Sequence, residues 1–357
     1  MHSPFRIPMP AQVLVPIFLI VSVVASLDLL ARNEKLTGRL TGLAKNKTLS
    51  FKRKTIFQNH GYFLDFEDQL VLEELRRADY RRGGVYLIGS SDVKWATALW
   101  ELPPSQRRFI HNYAIGATTH TAQWQVLRYL VEEEGLLRAG GAKTCVILGV
   151  SYLSIAHDMR TNSFFYSLWS RHGLYQASPE CGIRRVRNSA VCFCYVERLR
   201  IGAFLAAIRK RVVRPFERLL YGYVEPPPSE APRIHNPSEY CRMRREGMGL
   251  NWQVKLREQT EQFGIVLDYL LDRNVHVLVI LMPRGSWESN LPYQGAYTNA
   301  IAAACQQRRV GCLDWSGLLE DEEFADANHA NSFGINKFQS ALLSIALPFL
   351  REARTIP

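Results

Sequence analysis

Short segments that are apolar throughout, separated by segments of helical periodicity, constrain the fold of this chain more than any other feature. Residues 85–88, 144–150 and 275–281 are such apolar runs, and amphipathic stretches such as 119–137 lie between them. A strand without polar alternation is buried on both faces, which is typical of a parallel sheet covered by helices. With 357 residues, 47% of them hydrophobic, the chain can bury a core of this kind. The sequence therefore predicts an α/β domain, which we place at residues 83–350.

A second apolar segment lies near the N-terminus. Residues 7–27 are almost wholly apolar, close to the length of about 20 residues that spans a bilayer. We predict a transmembrane anchor at residues 1–30. A cleaved signal peptide is the alternative, although residues 23–25 match the small-x-small cleavage pattern poorly, and a buried core helix is a third reading. A basic neck and a lead-in helix are expected at residues 31–82.

The net charge of the chain indicates which classes of binding partner it favours. Lys and Arg number 44 against 33 Asp and Glu, which gives a net charge of +11 and favours an acidic partner such as a membrane surface, a polyanionic glycan or nucleic acid. There is no zinc-finger spacing and no motif of an RNA-binding sheet, so we predict no nucleic-acid partner. Basic residues follow the apolar segment while only Arg6 precedes it, and this bias by itself places the main domain inside the cell.

Two further features of the sequence are its cysteines and an irregular region. Seven cysteines without a CxxC pair predict neither a metal site nor a bound cofactor. Regular alternation is lost at residues 154–245, where we predict an insertion that forms a lid or a partner surface. Disulfides are expected if the compartment is oxidising, and buried free thiols are the alternative. The cysteines concerned are Cys181, Cys192, Cys194, Cys241, Cys305 and Cys312.

The first apolar run ends in Gly89, Ser90, Ser91 and Asp92. A buried strand that ends in this way delivers a hydroxyl to the rim of a sheet, where a nucleophile is needed. An ordinary turn is the competing interpretation. We assign Asp92 and Lys94 to capping of the following helix rather than to chemistry.

The loop before the last predicted helix contains Asp326 and His329. An aspartate three residues before a histidine can curl back, accept from one ring nitrogen and leave the other free as a base. A turn carboxylate and a surface histidine are the alternative. Because an open α/β sheet builds its site at the carboxyl ends of its strands, we expect this pair to meet the serine of the first strand at one rim.

Taken in order, these motifs resemble the SGNH (GDSL-like) hydrolase superfamily over about residues 83–350. The resemblance implies a flavodoxin-like three-layer α/β/α sandwich with a parallel sheet. It makes Ser91 the nucleophile rather than Ser90, His329 the general base, and Asp326 the group that orients the histidine.

The resemblance also implies an oxyanion hole. Asn112 and Gly116 resemble the second block of the family, in which the glycine N–H joins the serine N–H to stabilise the oxyanion. In the third block the chain departs from the family, because Gly-x-Asn-Asp is replaced by residues 149–152 with Ser151 in the asparagine position. Ser151 is therefore the candidate donor in place of the usual amide, and Asn112 is a candidate substrate-binding residue.

An N-terminal anchor together with this departure is similar to the membrane-anchored branch of the superfamily, such as the D-alanine transfer protein of teichoic acid modification and the alginate O-acetylation proteins. That resemblance implies a single-pass protein of the cytoplasmic membrane with its main domain outside. It also implies transfer of an acyl group through an ester of Ser91 to a cell-surface polysaccharide, beside a membrane-bound O-acyltransferase. With water as the acceptor, the same chemistry would make the protein an esterase.

Two further expectations concern a residue that lines the site and the alternative functions of the protein. Residues 285–288 follow the fourth strand at the same rim, so Trp287 is a candidate for lining an acyl or glycan pocket, with a helix-capping loop as the alternative. The competing function is a non-catalytic scaffold that binds a glycan or a membrane acyltransferase. If the charge bias decides the orientation, the protein is instead an intracellular membrane-bound hydrolase.

Overall fold

The computed structural model describes most of the predicted α/β domain. The described residues are 78–97, 99, 102–116, 118–155, 175–178, 182–185 and 237–353, with the single positions 22 and 75. All except position 22 belong to one compact unit made of Lys52–Val186 and Pro228–Pro357. The predicted anchor at 1–30, the neck at 31–82 and the insertion at 154–245 lie largely outside the described residues, so these boundaries remain predictions.

Seven strands are present in the described part of the chain. They are β1 (Gly84–Ile88), β2 (Ile110–Asn112), β3 (Thr144–Val150), β4 (Tyr175–Ser178), β5 (Gly182–Arg185), β6 (His276–Leu281) and β7 (Gly311–Asp314). Five of them form a parallel sheet in the order β2-β1-β3-β6-β7, and β4 pairs with β5 in an antiparallel hairpin. Counted along the sheet alone the order is 2-1-3-4-5, one of the two common orders of doubly wound sheets. The predicted α/β class with a parallel sheet is confirmed.

Helices connect the strands, and several of their ends are set by local sequence. They are α1 (Ser91–Trp95), α2 (Pro104–Arg107), α3 (His120–Tyr129), α4 (Pro237–Met248), α5 (Trp252–Leu271), α6 (Pro292–Arg308) and α7 (Ser332–Glu352). The Thr119 side chain caps α3, the Asn331 side chain caps α7, and Pro292 occupies the first turn of α6. Each of these residues suits a helix start, since it supplies an acceptor to a free N–H or needs no N–H itself.

Both faces of the central strands are buried. On one face, Val85 and Ile147 pack in a core cluster with a stripe of α7, whose members recur every four residues. They are Phe338, Leu342, Ala346 and Leu350. On the other face, Tyr86 and Val146 are fully buried as well. Truncating a buried leucine of this stripe, such as Leu342, to alanine would cost about 2–5 kcal/mol.

The last helix has the composition of a membrane span but packs against the sheet. Among the described residues, Phe333–Glu352 is the one helix long and apolar enough to cross a membrane, with a mean hydropathy of 1.2. One stripe of this helix lies in the core cluster, and 28% of its apolar window is buried, so burial accounts for part of its hydropathy. The predicted membrane anchor at residues 7–27 lies outside the described part of the chain.

Two glycines allow close packing where β1 and β3 end. A Cβ added to Gly89 would lie 2.9 Å from the carbonyl oxygen of Gly149 and would overlap the Val93 side chain. A Cβ added to Gly149 would overlap the same valine. Since Val93 belongs to α1, any side chain at either glycine would displace the helix that begins with Ser91.

Candidate active site

Ser91, His329 and Asp326 form a hydrogen-bonded series at the carboxyl rim of the sheet. The Nε2 atom of His329 lies 2.9 Å from the Oγ of Ser91. Its Nδ1 lies 2.8 Å from Oδ2 and 3.0 Å from Oδ1 of Asp326. With the ring proton on Nδ1 donated to the carboxylate, Nε2 is left as the acceptor for the Ser91 hydroxyl. The structure thus brings together the three residues that the sequence singled out.

The loop that contains Asp326 is folded around that carboxylate. Its Oδ1 accepts from the backbone N–H of Asn328 at 2.8 Å and of His329 at 2.9 Å. Burial raises the pKa of Asp326, but the charge of His329, its hydrogen bond and these backbone bonds lower it more, so the net pKa is below its ordinary value. Asp326 therefore stays ionised at neutral pH and stabilises a positive charge on the imidazole.

The geometry distinguishes between the two serines after β1. Ser90 is the residue before α1, and its carbonyl oxygen accepts from the backbone N–H of Lys94 at 3.0 Å. Ser91 is the first residue of α1, and its side chain is the one that meets His329. The assignment of the nucleophile to Ser91, which the sequence based on a family resemblance, agrees with this contact.

Asp92 lies closer to the site than its predicted role as a helix cap suggests. Its side chain is 5% exposed and accepts from the backbone N–H of Val93 at 2.9 Å. Burial raises the pKa of Asp92, and the nearby Ser151 hydroxyl and His329 offset part of that rise. The Asp92 carboxyl therefore contributes to the electrostatic surroundings of His329. Its place in the sequence, next to Ser91, did not reveal this.

The candidate oxyanion donors follow the two strands that flank β1 in the sheet. Gly116 is buried shortly after β2, and Ser151 directly follows β3. The hydroxyl of Ser151 is buried and lacks a well-formed hydrogen bond with any described residue, although it faces the Asp92 carboxyl. Position 151 thus carries a buried hydroxyl at the end of β3, next to the Asp92 carboxyl.

Asn112 holds the rim together from inside. Its amide nitrogen donates to the Oγ1 of Thr97 at 2.9 Å and to the carbonyl oxygen of Val93 at 3.3 Å. Its side-chain oxygen accepts from the backbone N–H of Ala114 at 2.9 Å. These bonds tie the end of β2 to α1, so the contacts of Asn112 support the position of Ser91 and none of them faces a substrate.

Trp287 contacts the loop that contains the histidine. Its Nε1 donates to the carbonyl oxygen of Ala327 at 3.3 Å, and its ring packs edge-on against Phe324 with centroids 5.5 Å apart. Trp287 lies in the short 3-10 helix Ser286–Glu288 after β6. The segment follows β6, and the observed contacts of the indole are with the loop.

A buried carboxyl beside this tryptophan was not found from sequence. Glu288 is 3% exposed, and its Oε1 accepts from the hydroxyls of Tyr152 at 2.6 Å and Tyr240 at 2.8 Å. Burial raises the pKa of Glu288, and the two tyrosines and nearby arginines partly offset the rise. Its partners come from positions 152 and 240, so no local pattern indicates the cluster.

The cluster reaches the loop that contains His329 through Asn328. Tyr240 has a single hydroxyl proton, which it donates to Glu288, so Asn328 must present its amide nitrogen to the tyrosine oxygen, 2.6 Å away. In that orientation the amide also donates to Ala327 at 3.1 Å and accepts from Arg244 at 2.8 Å. The residue next to His329 is therefore fixed by buried groups of α4 and of the segment after β6.

The next feature is the set of His, Cys, Asp and Glu side chains among the described residues. Within them, no group of three His, Cys, Asp or Glu side chains is placed to hold a metal ion. The four described cysteines are free thiols, and those of Cys305 and Cys312 are hydrogen-bonded to each other. Cys181, Cys192 and Cys194 lie outside the described part, so disulfides there remain a prediction.

Comparison with known proteins identifies no family. No protein-family model matches the sequence, and no curated protein matches it. Among solved structures, a candidate acylhydrolase of Bacteroides fragilis aligns with a TM-score of 0.39 at 11% identity, over 82% of this chain and 98% of its own. Protein YxiM of Bacillus subtilis aligns with a TM-score of 0.30 at 12% identity, over 76% of this chain and 56% of its own. At such TM-scores neither likeness carries weight, and the chemistry of the rim rests on its own geometry.

Proposed function

We propose that this chain is a serine acyltransferase or acylesterase of the SGNH type. One observation carries the proposal: Ser91 Oγ and His329 Nε2 lie 2.9 Å apart although 238 positions separate them in the sequence. A turn serine and a surface histidine, each read separately, do not predict that contact. A nucleophile, a base and a carboxylate that orients the base are the minimum constellation for acyl transfer through a covalent ester.

In the proposed reaction, His329 carries one proton from Ser91 to the leaving alcohol and later one from the acceptor. The Ser91 oxygen attacks the acyl carbonyl while its proton passes to Nε2 of His329, and the imidazolium is stabilised by Asp326. The tetrahedral intermediate collapses with release of the donor alcohol, which takes the proton from His329, and leaves the acyl group on Ser91. An acceptor hydroxyl then gives its proton to His329 and takes the acyl group, or water does so in hydrolysis.

The oxyanion hole assigned to this reaction uses the backbone N–H groups of Ser91 and Gly116 with the hydroxyl of Ser151. Removal of one such donor typically slows an enzyme about 10²- to 10³-fold. Replacement of an amide by a hydroxyl keeps a donor at the end of β3, and we propose that this preserves activity.

The remaining parts of the proposal rest on the sequence. They are a flavodoxin-like three-layer sandwich behind an N-terminal transmembrane helix, a main domain outside the cytoplasmic membrane, and transfer to a cell-surface polysaccharide beside a membrane-bound O-acyltransferase. Residues 7–27 and the net charge of +11 support a membrane and an acidic surface polymer as partners. The basic residues after the apolar segment argue against the outside orientation.

A fluorophosphonate probe tests the nucleophile directly, because it labels serines that a base activates. We expect labelling of the wild-type chain, no labelling of Ser91→Ala, and labelling of the matched variant Ser90→Ala. An unlabelled wild-type protein, or equal labelling of Ser91→Ala, would show that Ser91 is not the nucleophile.

A second candidate function is a non-catalytic scaffold that binds a glycan or a membrane acyltransferase. The observation that favours it is the serine at position 151 in place of an amide donor. The same labelling experiment separates the two functions, since a scaffold has no need of an activated serine.

A further inference from the structure

A small cavity lies at the carboxyl ends of β3 and β6. Asp92 and Asn328 line it, and they are the chain neighbours of Ser91 and His329. The cavity measures about 30 Å³. Because a water-sized group needs about 10–15 Å³, the cavity has room for two or three such groups. That is too small for a sugar ring and sufficient for one carbon with its hydroxyl.

Two buried polar groups in the cavity wall lack hydrogen-bond partners. Gln294, in the first turn of α6, is 3% exposed, and its Nε2 has no partner among the described residues. The hydroxyl of Ser151 is the second such group. Buried donors without partners are rare in folded proteins, and a ligand oxygen placed in the cavity would satisfy the amide of Gln294.

The rest of the wall mixes acceptors with donors. Asp92, Glu288 and Arg284 also line the cavity. A hydroxyl group both donates and accepts, so it can satisfy neighbours of both kinds. An alkyl chain would leave the Gln294 amide unpaired, which makes this cavity a poor site for a long acyl group.

We propose that the cavity is a carbohydrate subsite, which receives the hydroxymethyl arm of a hexose unit of the acceptor and to whose oxygen Gln294 donates. The inference rests on the proposed function and deepens it, since it names a structural feature of the acceptor. It assigns Gln294 a role in positioning the acceptor, whereas the chemistry remains with Ser91 and His329.

The test compares two acceptors that differ in that arm alone. The full-length chain in detergent is supplied with 4-nitrophenyl acetate as donor and with cellotetraose, which has hydroxymethyl arms, or xylotetraose, which lacks them. Mass spectrometry measures the rate of oligosaccharide acetylation. We expect cellotetraose to react about 3- to 10-fold faster, the effect of one hydrogen bond.

Variants of Gln294 then connect that ratio to the cavity. Gln294→Leu should bring the ratio of the two rates close to one. Gln294→Met keeps the length of the side chain and removes the donor, so it should do the same even if the leucine variant folds poorly. The matched control is Gln306→Leu, on the exposed side of the same helix, and it should keep the wild-type ratio.

The possible outcomes separate the subsite from the catalytic proposal. Equal rates with both acceptors in the wild type, or an equal loss with both in the Gln294 variants, would overturn the subsite while Ser91-dependent acetylation still stands. Absence of any acetylation or nitrophenol release that depends on Ser91 would overturn the proposed function, and the subsite with it.

Discussion

At the scale of single residues, the Asp326 carboxylate connects local folding with chemistry. One oxygen accepts from two backbone N–H groups and thereby closes the loop, and both oxygens lie within hydrogen-bond distance of the His329 ring. Because its pKa lies below the ordinary value of 3.8, ionisation stabilises the folded state above about pH 4. This contribution is lost as the pH falls through the folded pKa.

Asp326→Asn should therefore lower activity far more than it lowers stability. In a serine triad the corresponding substitution leaves the geometry and disfavours the required tautomer, and kcat falls about 10⁴-fold. We expect a loss of about 10³- to 10⁴-fold in the rate of fluorophosphonate labelling, measured by gel fluorescence. Asp272→Asn, at an exposed position after α5, is the control. Unchanged labelling of Asp326→Asn would rule out the orienting role.

At the scale of elements, the short helix Ser286–Glu288 holds the loop that contains Asp326 and His329 in place. Ser286 donates to the Asp321 carboxylate from its N–H at 2.8 Å and from its hydroxyl. The indole of Trp287 donates to the backbone of the loop. Glu288 accepts from Tyr240, which in turn contacts Asn328 in the loop. Three successive residues thus fix one loop at three points, and the position of the base depends on this segment after β6.

The buried Glu288 should make stability depend on pH in a defined direction. Its folded pKa is above the ordinary value of 4.5, so the folded state binds the proton more tightly than the unfolded state, and stability falls as the pH rises through that window. Glu288→Gln keeps the oxygen that accepts from both tyrosines and removes the charge. We expect a flatter dependence of the melting temperature on pH between 4 and 8, with the contribution of Asp92 remaining.

Glu288→Leu is the contrasting variant. It leaves the hydroxyls of Tyr152 and Tyr240 without their acceptor, and each unsatisfied buried donor costs about 1–3 kcal/mol. Urea unfolding should show a clear loss of stability for leucine and little or none for glutamine. Equal losses in both variants would mean that the charge of Glu288, rather than its accepting oxygen, is what the fold requires.

At the scale of the whole molecule, a parallel sheet brings distant parts of the chain to one rim. Ser91 follows β1 near the centre of the sheet, while His329 follows β7 at its edge. Because the strands run in the same direction, both connections leave at the same end. The contact between Ser91 and His329 is therefore a consequence of the topology, and the two residues need no proximity in sequence.

Orientation in the membrane is also a property of the whole chain, and two reporters fused after Pro357 would measure it. We expect activity from a reporter that works only outside the cytoplasm and none from one that works only inside, because a long domain crosses regardless of its flanking charge. Removal of residues 1–30 should abolish the outside signal. An active inside reporter on the full-length chain would instead support the intracellular hydrolase.

The sequence alone determined what depends on local spacing. Apolar runs between helical segments were enough to predict the parallel α/β fold, and the spacing of Asp326 and His329 was enough to predict that they interact, since three residues of chain bring the two side chains together. Tertiary structure decided which serine meets the histidine, that Asn112 faces inward, and that Asp92 and Glu288 are buried at the rim. These outcomes depend on which elements pack together across long stretches of sequence, and no local pattern encodes them.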